Sequence, residues 1–237
     1  MEAKRIAAEK AVEQVKPGMI VGLGSGSTAE WAIRKIGELV KEGLNIKAVA
    51  SSVKTEKLAI EVGIPIIDFK NIDRIDLSID GADEVDDYGH LIKGGGGALL
   101  REKMLAFNSK RFIVIIDESK RVKTLGKFDL PVEIIPFAAD ITMKRLKETG
   151  TSPVLRYSNQ KIFITDNGNY IADCNYYPIK DPGALNIQLH QIPGVVESGI
   201  FINNMVHSFY IGYENLTVRR FDTTNQGWNN EPGWKKD

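Results

Sequence analysis

The chain has 237 residues, 43% of them apolar and 26% charged, enough to bury a core without disulfide or metal staples and too apolar for disorder. Lysine plus arginine number 31, as do aspartate plus glutamate, so the net charge is zero, which excludes a chain built to bind nucleic acid or a membrane surface non-specifically. One cysteine, Cys174, excludes an internal disulfide framework and fits a reducing compartment; with no leader-like or membrane-spanning segment in view, the expected location is the cytoplasm.

In chain order, Ala3, Ile6, Ala7, Ala11, Val12 and Val15 recur at spacings of three and four and predict an amphipathic helix, stopped by Lys16-Pro17-Gly18. The apolar run 19–23 reads as a buried strand. A helix over 27–39 offers Trp31, Ile33 and Ile36 to a core. Then come a strand at 46–50, a helix at 53–62 ended by Gly63, and strands at 65–68, 75–80 and 111–116. A helix at 97–108 separates the last two. Helices alternating with continuously apolar strands predict an α/β fold with a mostly parallel sheet covered on both faces. Ligands in such sheets sit beyond the C-terminal ends of the strands, which marks the loops 24–28, 51–54, 80–86, 93–97 and 117–120.

The pattern changes near Gly126. Strands at 131–135 and 154–156 flank a helix at 140–148, and 162–165 and 170–174 read as a paired hairpin around Asp166-Asn167-Gly168. With a helix at 182–192, this stretch reads as a small α+β subdomain inserted before two last strands at 208–213 and 216–221. The expected division is 1–126 together with 199–221, an inserted 127–198, and a polar tail 222–237 that frays.

Four segments carry chemistry. Gly22-Leu23-Gly24-Ser25-Gly26-Ser27-Thr28 joins a strand to a helix, where free N–H groups and hydroxyls attract an anion. Ser27 stands where a dinucleotide fingerprint needs glycine, and Ser51 and Ser52 stand where it needs an acid, so a monophosphate or carboxylate suits the loop better than NAD or ATP. The competing reading is a tight turn with Ser27 as helix N-cap. The stretch 80–87, Asp-Gly-Ala-Asp-Glu-Val-Asp-Asp, packs five acids into eight residues. It is either a solvated turn or a set of acceptors for sugar hydroxyls, and its spacing does not fit a calcium loop. Lys93 and the costly run Gly94, Gly95, Gly96, Gly97 place a cation beside exposed N–H groups, a stabiliser for a developing oxyanion. Glu102 follows on the next helix, where a solvated surface carboxylate is the commoner case. Lys120, after the strand ending at Ile116, either meets a phosphate or lies on the surface. His90, His190, His207 and Cys174 share no metal-ligand spacing, so no zinc is expected.

Taken together and in order, GLGSGSTA at 22–29, DGADEVD at 80–86, KGGGGALLREK at 93–103 and ESK at 118–120 resemble the A-type ribose-5-phosphate isomerase family, as do SSVKTEKLA at 51–59 and TDNGNYIADC at 165–174. The resemblance implies a Rossmann-like domain with a smaller ferredoxin-like α+β lid. It implies interconversion of D-ribose 5-phosphate and D-ribulose 5-phosphate in the non-oxidative pentose phosphate pathway, without metal or organic cofactor. It also implies a sugar-phosphate substrate, no nucleic-acid or membrane partner, and a homodimer or homotetramer. By position, the substrate contacts are Ser25, Gly26, Ser27, Thr28, Asp80, Gly81, Ala82, Asp83, Lys93, Gly94, Gly95, Gly96 and Lys120, with Lys4 at a basic phosphate-facing position. Glu102 falls at the family's proton acceptor. For the chemistry this implies, an enediolate oxygen needs a donor, which Lys93 and the glycine N–H groups can supply, while Asp80 and Asp83 would hold hydroxyls, one of them assisting ring opening. The chain departs from the family at Ser198, where histidine or asparagine is expected. Two further readings stand beside this one: a sugar-phosphate sensor without turnover, and an acyl-CoA transferase-like enzyme using a glutamate nucleophile.

Overall fold

The structure is a computed structural model that describes residues 1–224, 227 and 228. Its first part runs α1 (Glu2–Val12), β1 (Ile20–Leu23), α2 (Ala29–Lys41), β2 (Lys47–Ala50), α3 (Val53–Glu61), β3 (Leu77–Asp80), β4 (Glu84–Val85), β5 (Leu91–Ile92), α4 (Leu99–Phe107) and β6 (Phe112–Asp117). The middle contains β7 (Leu130–Ile134), α5 (Ala139–Glu148), β8 (Val154–Leu155), β9 (Tyr157–Ser158), β10 (Lys161–Ile162), β11 (Tyr170–Cys174), α6 (Pro182–His190) and β12 (Val195–Ser198). The last strands are β13 (Ile200–Phe201), β14 (Ser208–Gly212), β15 (Val218–Thr224) and β16 (Gly227–Trp228).

The main sheet has the order β16-β15-β14-β6-β3-β1-β2. Its pairs from β14 to β2 are parallel, and β15 and β16 add antiparallel strands at one edge. β6 shows why its strand is apolar throughout. Ile113 and Ile115 enter one core with α1, α2 and β1, while Phe112, Val114 and Ile116 enter another with α4, β14 and Phe201. A strand buried on both faces has no polar alternation. The chain order reverses beside β1, with β2 on one side and β3 on the other. The loops leaving β1 and β3 therefore open a crevice at the switch point, where such sheets take ligands.

The smaller sheet has the order β12-β7-β11-β8, antiparallel throughout. α5 and α6 pack on it through Leu146 and Leu189 over Leu130, Val132, Ile134, Ala172 and Cys174. With its β-α-β-β-α-β connection this is the expected ferredoxin-like arrangement. A three-stranded ribbon, β13-β5-β4, is a further sheet absent from the sequence reading, because two-residue strands leave no periodicity. No helix among the described residues is long and apolar enough to cross a membrane.

The structure corrects several expectations. Segment 65–68 is no strand; Ile66 makes only an isolated bridge to Ala48, and a 3-10 turn follows at Phe69–Asn71. The 165–169 turn forms, but 162–165 does not pair with 170–174. β10 pairs with β9, and β11 lies between β7 and β8. The β9–β10 turn uses Asn159 and Gln160 at positive φ (50° and 63°), a two-residue hairpin without the glycine that would have signalled it. Ser27 is not the cap of α2: Thr28 occupies that position, and its side chain makes no capping bond. β15 continues through Thr224, past the expected start of the tail, with Asp222 paired to Ser208. The rest of the predicted frayed tail, 225–226 and 229–237, lies outside the described residues.

Candidate active site

The crevice is built from the ends of β1, β3 and β5 and the first turn of α4. Gly24 lets the loop after β1 approach β3, since a Cβ there would fall 2.1 Å from the Asp80 carboxylate. Asp80 Oδ1 accepts the N–H groups of Ser25 (3.0 Å) and Gly81 (2.7 Å), which couples the two loops. Lys93 Nζ stands 2.9 Å from Asp80 Oδ2 and 3.3 Å from Glu102 Oε2, and donates to Gly81 O at 2.6 Å. The three side chains are only 3–4% exposed. The Lys93–Glu102 approach is within ion-pair reach but poorly aligned, and Glu102 Oε2 is left without a hydrogen bond.

One ammonium thus faces two buried carboxylates. Burial lifts Glu102 to about 8 against the pull of Lys93, with Asp80 adding to the rise. Burial raises Asp80 too, opposed by Lys93 and by the Gly81 and Ser25 N–H groups. Burial works against the Lys93 charge, but Asp80 and Glu102 outweigh it and hold the ammonium above the usual lysine range. Asp80 has the shorter contact to Lys93 and two N–H donors, so it carries the balancing negative charge. Glu102 holds a proton up to slightly alkaline pH.

The other expected positions are placed around this triad. Asp83 Oδ2 accepts the Gly95 N–H at 2.8 Å, tying the acidic loop to the glycine run. Ala82 packs partly buried against the core beneath α4. Gly94 and Gly97 take positive φ (99° and 80°), and Gly96 is exposed. Ser27 Oγ lies 3.4 Å from Lys4 Nζ, which is 3.8 Å from Asp117 Oδ2 at the end of β6. Gly26 takes positive φ (98°) in the same loop. Lys120 closes the 3-10 turn Glu118–Lys120 directly after β6. Ser25 differs from the others in where its hydroxyl goes. It donates to Ser52 Oγ (2.8 Å) and lies 2.8 Å from Ser51 Oγ and 3.0 Å from Thr55 Oγ1, so its backbone rather than its hydroxyl faces Asp80.

Two features escaped the sequence reading. The hydroxyl cluster of Ser51, Ser52 and Thr55 buttresses the loop after β1, and Thr55 Oγ1 donates to Gly24 O at 2.9 Å. Arg156 reaches the glycine run from the smaller sheet. The run of serines at 51–52 was a visible signal for the first; a single arginine beyond a short strand offers none. The departure at Ser198 is accommodated locally: its hydroxyl donates to Asn186 Oδ1 at 2.6 Å on α6.

Comparison with known proteins agrees with this geometry. The family model for ribose 5-phosphate isomerase A (phosphoriboisomerase A) matches residues 47–216. Ribose-5-phosphate isomerase A of Bacillus mycoides is 50% identical over 216 residues, spanning 91% of this chain and 97% of that one. The structure of ribose 5-phosphate isomerase from Plasmodium falciparum superposes with a TM-score of 0.90 at 37% identity, covering 94% of this chain and 100% of that one. A D-ribose-5-phosphate isomerase solved in complex with phospho-erythronic acid gives a TM-score of 0.88 at 39% identity, over 93% of this chain and 98% of that one. Matched over most of its length in sequence and in backbone, and carrying the family's glycine and acidic loops around one buried triad, the chain belongs to the ribose 5-phosphate isomerase A family.

Proposed function

We propose that this chain interconverts D-ribose 5-phosphate and D-ribulose 5-phosphate, with Glu102 carrying the proton between C2 and C1 of an enediolate. The observation that carries the assignment of roles is the buried Glu102–Lys93–Asp80 triad. A carboxylate whose proton affinity is raised toward working pH is a competent base and returns the proton readily. The Lys93 ammonium, 3.3 Å from Glu102, serves as donor to the enediolate oxygen, with help from N–H groups of the glycine run. Asp80 keeps Lys93 charged, and Asp83 holds a sugar hydroxyl. Lys4, Ser27, Thr28 and Lys120, with the loop N–H groups, take the phosphate. Phospho-erythronic acid, held by the related structure, combines a phosphate with a carboxylate, the two charges that the enediolate of a pentose phosphate also bears.

The reaction moves the carbon proton from C2 to C1 and the hydroxyl proton from O2 to O1, and exchanges no electrons with an outside acceptor; Glu102 carries the first, and the Lys93 ammonium stands by the two oxygens for the second. In this reading 1–126 and 199–221 form the catalytic part and 127–198 covers it. The enzyme works in the cytoplasm as a homodimer or homotetramer; exposed Phe137, Ile141 and Ile187 on the smaller α+β unit suit contact between copies. The deciding experiment is conversion of D-ribose 5-phosphate in deuterated water with a chelator present. Ribulose 5-phosphate is expected, with deuterium at C1 in the fraction of turnovers in which the Glu102 proton exchanges with solvent before it is returned; absence of ribulose 5-phosphate overturns the reading.

Two further results are expected. Because only ionised Glu102 accepts a proton, kcat/KM rises with pH and levels off above an apparent pKa near 8. Lys93, held above the usual lysine range, contributes no alkaline fall until far higher pH. A profile flat from pH 6 to 9 would contradict the assignment of the base. Lys120→Ala is expected to raise KM by about tenfold or more, as for one lost charge-assisted bond, with kcat little changed. Initial-rate kinetics check this; an unchanged KM removes Lys120 from the phosphate site.

A further inference from the structure

A run of glycines is a poor scaffold, because each residue loses much backbone freedom on ordering. Here the run is gripped from behind by one side chain of the opposite unit. Arg156, just beyond β8, donates through Nη1 to Gly94 O and to Gly95 O, both at 3.0 Å. Its Nε donates to Asp173 Oδ2 at 2.9 Å, and its Nη2 donates to the other Asp173 oxygen. Asp173 sits on β11, paired with Val154 of β8, so the fork is fixed to the smaller sheet. The Phe163 N–H donates to Arg156 O at 2.8 Å, and the Phe163 ring lies 5.9 Å from the guanidinium. The same ring closes on Gly97, where a Cβ would fall 2.4 Å from Phe163 Cε1.

The consequence follows from peptide geometry. In a trans peptide the C=O and the following N–H point in opposite directions. Carbonyls of Gly94 and Gly95 turned toward Arg156 send the N–H groups of Gly95 and Gly96 the other way. The Gly95 N–H arrives at Asp83 Oδ2, 2.8 Å away, in the crevice. A cation on a carbonyl oxygen also polarises the peptide and strengthens its N–H as a donor.

We infer that Arg156 is a positioning residue of this isomerase: without touching the reacting carbons, it orients and polarises the Gly95 and Gly96 N–H donors and, through Gly95, sets Asp83. The inference rests on the isomerase reading above. Its test is steady-state kinetics of Arg156→Ala and Arg156→Lys beside the wild type, with and without added guanidinium chloride below denaturing concentration. Arg156→Ala is expected to lower kcat by about 10²-fold, the scale of one lost oxyanion donor, with KM within about threefold because the phosphate is held elsewhere. Arg156→Lys is expected to recover only part, since a point charge cannot span two carbonyls and a carboxylate. Free guanidinium filling the vacated fork is expected to raise kcat of the alanine variant by about tenfold and to leave the wild type unchanged. Should Arg156→Ala not fold, Asp173→Asn is read instead: lowered kcat with KM unmoved supports the inference, and unchanged kcat overturns it. An alanine variant with wild-type kcat, or one whose loss guanidinium does not restore, overturns it as well. A wild type without isomerase turnover would instead sink the proposed function.

Discussion

Glu102→Gln is expected to lower kcat by about 10³–10⁴-fold, at the upper end of what a positioned base contributes, with KM nearly unchanged. The amide preserves shape and fills the same buried space but cannot accept the proton. Its effect on stability has the opposite sign. Glu102 binds its proton up to about pH 8 in the folded chain, against an ordinary value of 4.5. A carboxyl with a raised folded pKa makes the fold less stable as pH climbs from the unfolded value to the folded one. Glutamine has no such proton, so the variant should melt above the wild type at pH 8 and lose that advantage near pH 4. Thermal melts at the two pH values and a ketose-forming assay check both halves. Turnover near that of the wild type would remove Glu102 from the mechanism, and a variant less stable at pH 8 would contradict the burial argument.

Lys93→Met is expected to damage both turnover and folding. Among the described residues, the ammonium is the one cation within 4 Å of the Asp80 and Glu102 carboxylates, and it also satisfies Gly81 O. Removing one partner of a buried ion pair costs about 3–5 kcal/mol, because the remaining charge has neither water nor partner. Loss of the enediolate donor adds a fall in kcat of about 10²–10³-fold. With the cation gone, nothing opposes the burial of Glu102, so the acid limb of the pH profile moves upward. Denaturant unfolding and kcat over pH are the measurements. A variant as stable as the wild type would show that the triad is not the tight, dry cluster described above.

Much of the fold was legible because its signals are local. β6 is apolar over its full length because both faces are buried, and that alone separates it from an edge strand. Helices α1 to α4 and the loops between them follow from apolar spacing and glycine stops, whereas the switch point beside β1 needed the strand order of the folded sheet. The candidate site was legible as four loops at strand ends. The segments that misled lacked such signals or carried a false one. Asp166-Asn167-Gly168 is a good turn, yet its flanking strands do not pair, because β7 competes for β11 from 36 positions away at Ile134–Tyr170. The β9–β10 turn succeeds without glycine at Asn159 and Gln160.

The primary structure by itself determined the α/β architecture, the glycine loops that open at one end of the sheet, and which acids and lysines were available there. Folding alone decided which of them meet: Lys93 between Asp80 and Glu102, Ser25 turned into a hydroxyl cluster, Arg156 on the carbonyls of Gly94 and Gly95. The reason is that hydrogen bonds and ion pairs depend on ångström-scale approach and on the removal of water. Both are properties of packed side chains far apart in the chain, and neither is encoded in any short run of residues.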